Sequence, residues 1–226
     1  MRFVVTGANR GIGLEFVKQL TERGEEVDAG VRDPDDAAEL RALARPGVPL
    51  RIHPLDVADD ASVHAFAEQV LAGPVDVLVN NAGVSSLKGG EPIDSADILR
   101  VFNVNAAGTL RVVRALLPRL RAGKTKKIVN LTSQLGSIAE ASGGRYAYRL
   151  SKAALNMATR LLAEDLRGEG FLTVALHPGW VQTRMGGSAA PVPPAQSIQG
   201  MLRIIDGLTE QQSGRAFDFQ GRELPW

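Results

Sequence analysis

The run Thr6-Gly7-Ala8-Asn9-Arg10-Gly11-Ile12-Gly13 constrains this chain's fold more than any other stretch. An apolar segment, Arg2–Thr6, leads into it, and residues 14–23 follow with apolar residues at helical spacing. The whole therefore reads as buried strand, glycine turn and helix. Glycines at 7, 11 and 13 let the backbone turn sharply and approach a ligand closely. The opening helix would present unpaired N–H groups and its positive dipole end to a phosphate. Alone, such a turn is equally compatible with a plain strand-to-helix connection, and its spacing departs from the commoner GxGxxG pattern.

The same alternation continues down the chain. Glu26–Val31, Leu50–Pro54 and residues 75–79, 128–131, 172–176 and 215–219 read as further strands. Helices are expected over 34–44, from Asp59 or Asp60, over 94–120 and over 145–167, and a Gly-, Ala- and Pro-rich loop over 186–197. A length of 226 residues suits one α/β domain spanning 1–226, with helices on both faces of a doubly wound, mostly parallel sheet. The net charge of +1 gives no electrostatic case for nucleic acid, and the basic cluster Lys124, Lys126 and Lys127 reads as a solvated turn. With no cysteine, disulfides and thiolate metal sites are excluded. His53, His64 and His177 show no metal-ligand spacing. No apolar stretch reaches membrane-spanning length and no leader pattern is seen, so a cytoplasmic location is expected.

Chemistry concentrates where strands end. Tyr148 and Lys152 lie four residues apart near the start of a long helix, hence on one face. An ammonium one turn away favours a phenolate, which would suit Tyr148 to acid and base work. YxxxK alone can equally be a surface pair. Ser133 stands at the carboxyl end of its strand, able to donate to a substrate oxygen or merely to cap a turn. Asn105 lies mid-helix, an unfavourable place unless its side chain has work. Past the second strand come Arg32 and Asp33. An arginine there would pair with a ribose 2′-phosphate, with Arg10 as second clamp, and an acid would accept from a 2′-hydroxyl. This favours NADP(H) over NAD(H), with Asp33 as the counter-evidence. Asp56 could accept from an adenine amino group or cap the next helix. The amides and small residues of Asn80-Asn81-Ala82-Gly83 could pack under a cofactor and tie strand ends together.

Thr6-Gly7-x-x-x-Gly11-x-Gly13, Asn80-Asn81-Ala82-Gly83, Asn105, Ser133, Tyr148-x-x-x-Lys152 and Pro178-Gly179 together resemble, in order and spacing, the short-chain dehydrogenase/reductase family. The run at 148–156, His177-Pro178-Gly179-Trp180-Val181 and the Pro-Trp ending at 225 and 226 are similar to its C-factor and Sniffer-type carbonyl reductase branch. The resemblance implies a Rossmann-type sheet in the order 3-2-1-4-5-6-7 and an NADPH-dependent reduction of a ketone or aldehyde. Tyr148 would be the acid, Ser133 would polarise the carbonyl oxygen, and Lys152 would tune the tyrosine and hold the nicotinamide ribose. Asn105 would anchor a relay water. Gly7, Asn9, Arg10, Gly11, Ile12, Gly13 and Arg32 would hold the phosphates, and Asp56, Val57, Asn81, Ala82 and Gly83 the adenosine half. Pro178, Gly179, Val181 and Thr183 would meet the nicotinamide. Gln134, Tyr146, Trp180 and Met185 would wall an apolar substrate pocket, and the helices at 103–122 and 145–167 would serve a homodimer or homotetramer. A non-catalytic dinucleotide-binding signalling protein is the alternative, because a fold does not guarantee turnover.

Overall fold

The structure, a computed structural model, describes residues 1–70, 73–86 and 93–226. Seven strands form one sheet in the order β3-β2-β1-β4-β5-β6-β7. They are β1 (Arg2–Thr6), β2 (Glu26–Val31), β3 (Leu50–Pro54), β4 (Val77–Asn80), β5 (Lys127–Leu131), β6 (Leu172–His177) and β7 (Ala216–Asp218). Every pairing is parallel. A parallel sheet must be covered on both faces, so its strands are apolar on both. Successive side chains alternate between two cores. Phe3, Val5, Val77, Val79 and Val129 enter one with Phe16, Leu20, Ile198, Met201 and Ile205. Val4, Leu78 and Ile128 enter the other with Phe66, Leu116 and Leu120. Each large side chain so buried contributes roughly 1.5–3 kcal/mol.

Helix α1 (Gly11–Glu22) packs on the first core with α7 (Pro194–Asp206). The second core takes α3 (Asp60–Gln69) and α5 (Gly108–Arg121). Along its edge α4 (Ser95–Phe102) meets α6 (Tyr146–Asp165). Asp59 caps α3 by accepting from the Ala61 amide at 2.9 Å, and Asp94 caps α4 through Ala96 at 2.9 Å.

The structure departs from expectation in three helical regions. The helix expected over 34–44 shrinks to α2 (Ala38–Leu43), because Asp33 accepts from the Asp35 and Asp36 amides and holds the preceding residues in a turn. The expected helix over 94–120 is interrupted by a π-turn at Asn103–Ala107. The loop expected to run to Ser197 stops earlier: α7 begins at Pro194, whose missing N–H is no loss in a first helical turn.

Candidate active site

The carboxyl ends of β5 and β6 bring the phenol, hydroxyl and ammonium together. Helix α6 is entered through three consecutive residues with positive φ, Gly143, Gly144 and Arg145 at 83°, 68° and 52°, and it then buries Ala147, Ser151, Lys152 and Leu155 on its inner face. The Ser133 hydroxyl lies near enough to the Tyr148 phenol to favour its ionised form. Ser133 accepts from the Leu135 amide at 3.2 Å, which fixes it at the strand end. Lys152 is buried and donates through Nζ to the Leu131 carbonyl at 2.7 Å, with Nζ 5.8 Å from the centre of the Tyr148 ring. Burial without a counter-charge brings the lysine down to about 8. Burial pushes Tyr148 above its ordinary value, opposed by the Ser133 hydroxyl and the charge of Arg145. The expectation that a neighbouring ammonium lowers the phenol is therefore corrected for the protein by itself: desolvation dominates, and the phenol keeps its proton at neutral pH.

Asn105 sits fully buried in the π-turn. Its Oδ1 accepts from the Val84 amide at 2.8 Å, and its Nδ2 donates to the Val84 carbonyl at 2.9 Å and to Ser151 Oγ at 3.0 Å. Ser151 Oγ in turn donates to the Tyr148 carbonyl at 2.8 Å. The asparagine thus joins the loop after β4 to the tyrosine's own turn of helix. Behind Ser133, Thr132 Oγ1 donates to Asn156 Oδ1 at 2.5 Å, and Asn156 Nδ2 donates to the Gly136 carbonyl at 3.3 Å. Asn80 and Asn130 link β4 to β5 through a side-chain bond of 2.9 Å, as the amide-rich run had suggested.

The glycine turn has the shape of an anion cradle. Gly7 and Gly11 take φ of 65° and 54°, and a Cβ on Gly13 would stand 2.3 Å from the Gly7 carbonyl oxygen. Asn81 fastens the turn, its Nδ2 donating to the carbonyls of Thr6 and Gly7 at 2.9 and 3.0 Å. Ala82 donates its amide to Thr6 Oγ1 at 3.0 Å, and Gly83 lies beside Asn105 and Lys152. Arg10 begins α1 without a side-chain cap, and no acid stands in the first turn. Amides of the Gly11-Ile12-Gly13 turn are therefore available to a phosphate, and the site fits a dinucleotide. Half-buried Asn9 and exposed Arg10 flank it, Arg32 is exposed at the end of β2, and Asp33 has turned an oxygen back onto its own loop. Burial lowers the Arg10 pKa first, then the like charges of Arg184 and Arg32, with Asp36 opposing. Asp56 Oδ1 accepts from Ala58 at 2.9 Å, an ordinary turn bond, while Val57 is buried against Gly108.

On the opposite side, Pro178 accepts from Ser197 Oγ at 2.6 Å. Gly179 adopts φ of 82° with Phe219 where its Cβ would be. Val181 bridges to Val192, and Thr183 lies over Gly11. Trp180, Met185 and Tyr146 are exposed by 56%, 57% and 41%. Gln134 is exposed and donates to Glu140 at 2.7 Å, which ties it to the loop before α6.

A family model described as short chain dehydrogenase matches residues 2–192. The chain belongs to that family. Within it, the chain is of the C-factor and Sniffer type. It is 57% identical over 166 residues to "C-signal" of Myxococcus xanthus, a match covering 73% of this chain and all of the relative. It is 36% identical over 231 residues to 1-hydroxy-2-glutathionyl-2-methyl-3-butene dehydrogenase of Rhodococcus sp. (strain AD45), covering 99% and 98% of the two chains. NADPH-bound carbonyl reductase from chicken fatty liver superposes with a TM-score of 0.93 at 36% identity, covering 100% and 98%. Carbonyl reductase Sniffer of D. melanogaster gives 0.93 at 32%, covering 100% and 99%. This short-chain dehydrogenase is an NAD(P)-dependent oxidoreductase. Sequence reasoning missed three of its residues: Ser151, visible only as a letter inside the Tyr148–Lys152 run, Asn156 one turn beyond Lys152, and Arg184, whose neighbour Arg10 is remote in sequence.

Proposed function

We propose that the protein reduces an apolar or aromatic ketone or aldehyde to its alcohol with NADPH, over the whole domain 1–226. The observation that carries this is the grouping of Ser133 at a strand end, the Tyr148 phenol, and buried Lys152 with Nζ 5.8 Å from the Tyr148 ring centre and 2.7 Å from the Leu131 carbonyl. Burial raises Tyr148, which keeps the O–H in the form an acid requires and favours the reductive direction. Ser133 orients the substrate oxygen, and Tyr148 Oη gives that oxygen its proton. Lys152 restores the phenol's proton and holds the nicotinamide ribose. Asn105 carries the π-turn that would anchor a relay water; its carboxamide is already engaged by Val84 and Ser151, and its carbonyl, which accepts from Thr109 Oγ1 at 3.2 Å, keeps a second lone pair for that water. A bound nicotinamide supplies the hydride, chemistry that belongs to the cofactor.

Preference for NADPH follows from charge. Arg10 and Arg32 form no salt bridge among the described residues, and Asp33 is engaged with its own turn. Gly7 to Gly13 hold the pyrophosphate. Asp56, Val57, Asn81, Ala82 and Gly83 line the adenosine half, and Pro178, Gly179, Val181 and Thr183 meet the nicotinamide. Gln134, Tyr146, Trp180 and Met185 border the substrate.

The likeness to "C-signal" of Myxococcus xanthus favours a second reading, a dinucleotide-binding signalling protein without turnover. Nicotinamide absorbance, followed with NADPH and a panel of apolar aldehydes and ketones, separates the two. The wild type should consume NADPH, and Tyr148→Phe should lose about 10³-fold in rate while binding NADPH unchanged. If no carbonyl is consumed, or if the phenylalanine variant turns over normally, the reductase reading is wrong. A parallel titration should find NADPH bound at least about tenfold tighter than NADH, roughly 1.4 kcal/mol.

A further inference from the structure

The loop after β6 carries a cation that the reading of the cofactor site leaves unused. Arg184 is exposed and forms no salt bridge among the described residues. Its backbone is nonetheless well fixed. Gly186 and Gly187 donate their amides to Thr183 Oγ1 and to the Thr183 carbonyl at 3.1 and 2.8 Å. Trp180 Nε1 donates to the Gly186 carbonyl at 2.7 Å. The segment is thus a closed turn. It lies on the glycine turn, since a Cβ on Gly11 would stand 3.3 Å from Thr183 Cγ2. Arg184 therefore belongs to the roof of the cradle whose floor is the uncapped start of α1.

Arg10 is the N-cap of α1, Arg184 follows the Thr183 that lies on Gly11, and Arg32 stands two residues past Gly30, whose carbonyl accepts from the Gly7 amide at 2.8 Å. The like charges felt by Arg10 are those of Arg184 first and Arg32 second, with Asp36 the one acid acting against them. Exposed arginines that outnumber the acids near them repel one another, and such a cluster is relieved by a phosphate, which a guanidinium fork grips with two parallel bonds. We propose that Arg184 is a third phosphate clamp, laid across the glycine turn by the loop after β6. The inference rests on the cofactor reading above and adds a residue to it.

Calorimetric titration of wild type and Arg184→Gln with NADPH, NADH, 2′,5′-ADP and 5′-AMP tests this. The position is exposed, so the variant should melt as the wild type does. An affinity loss of about tenfold for NADPH and 2′,5′-ADP, with NADH and 5′-AMP little changed, supports a clamp on the 2′-phosphate. An equal loss for NADPH and NADH supports a clamp on the pyrophosphate. NADPH and NADH affinities both within about twofold of wild type overturn the proposal while leaving the cofactor reading intact. A wild type that binds neither dinucleotide overturns both.

Discussion

Asp28 and Lys152 are both buried charges, but they are held in opposite ways. Asp28 lies inside β2 with its side chain wholly buried, and three neighbours meet it. Arg2 Nε approaches to 2.7 Å, Arg51 Nε to 2.9 Å and His53 Nε2 to 2.9 Å. Burial pushes the carboxyl up, but the hydrogen bonds from His53, Arg51 and Arg2 outweigh it and hold Asp28 well below the usual carboxylate range. Lys152 is as deeply buried and has a single carbonyl partner, so its proton is held weakly. The first group staples β1, β2 and β3. The second is poised to exchange a proton. Compensation holds Asp28 as structure, whereas Lys152 combines an uncompensated charge with a place beside Tyr148 and Ser133.

The largest way to break this contrast is to damage the staple. Asp28→Asn should cost about 1.5–3 kcal/mol of stability, because it replaces the charge-assisted bonds from Arg2 and Arg51 by those of a neutral amide. Urea unfolding measures this, and NADPH affinity should remain at the wild-type value. The sign with pH follows from the depressed carboxyl: its stabilisation is complete above the unfolded aspartate value near ~3.9 and is lost as pH falls through the lower folded value. Acid unfolding of the wild type should therefore start below about pH 4 and be muted in Asp28→Asn.

A smaller effect is expected where site and scaffold overlap. Asn105→Ala leaves the Val84 amide and carbonyl unpaired, which should cost about 2 kcal/mol. It should also slow reduction without changing the relative affinities for NADPH and NADH, read by urea unfolding beside initial rates. Smaller still, Lys127 donates to the Ile205 and Asp206 carbonyls at the end of α7, at 2.6 and 3.2 Å. Lys127→Met should lose about 1 kcal/mol, with activity intact. Asp33→Ala should change stability by no more than about 0.5–1 kcal/mol and leave the NADPH preference in place. A switch toward NADH preference would mean that the arginine reading at the ribose is wrong.

The chain declares local patterns and hides distant ones. Strand positions followed from apolar runs, and the turn at Gly7 to Gly13 from its glycines. Tyr148 and Lys152 shared a helix face by spacing alone. Ser133 was found because strand ends are where such sheets bind ligands. The Asp28 staple was not legible: it needs β2 and β3 in a register that pairs Asp28 with Arg51, and the aspartate stands within an apolar strand. Arg184 was hidden for the same reason, since its meeting with Arg10 depends on how the loop after β6 lies. Residues 194–197 read as the end of a loop and 198–206 were given no element, because alanine and prolines mask the apolar spacing of Ile198, Met201 and Ile205, although Pro194 was a usable start signal. The π-turn at Asn103–Ala107 left no mark except its asparagines.

The contrast is tested most directly by urea unfolding of wild type and Lys152→Met without cofactor, from about pH 7 to pH 10.5. A fall of the buried lysine to about 8 corresponds to about 3 kcal/mol held against its charged form. The unfolded chain stays protonated up to about 10.4, so between those values folding releases a proton and wild-type stability should rise with pH relative to the methionine variant. At pH 7 the variant should be at least as stable as wild type, and the gap should move by about 3 kcal/mol across the range. Parallel pH curves, or a variant several kcal/mol less stable at pH 7, would mean that Lys152 is compensated as Asp28 is and that its buried charge belongs to the scaffold.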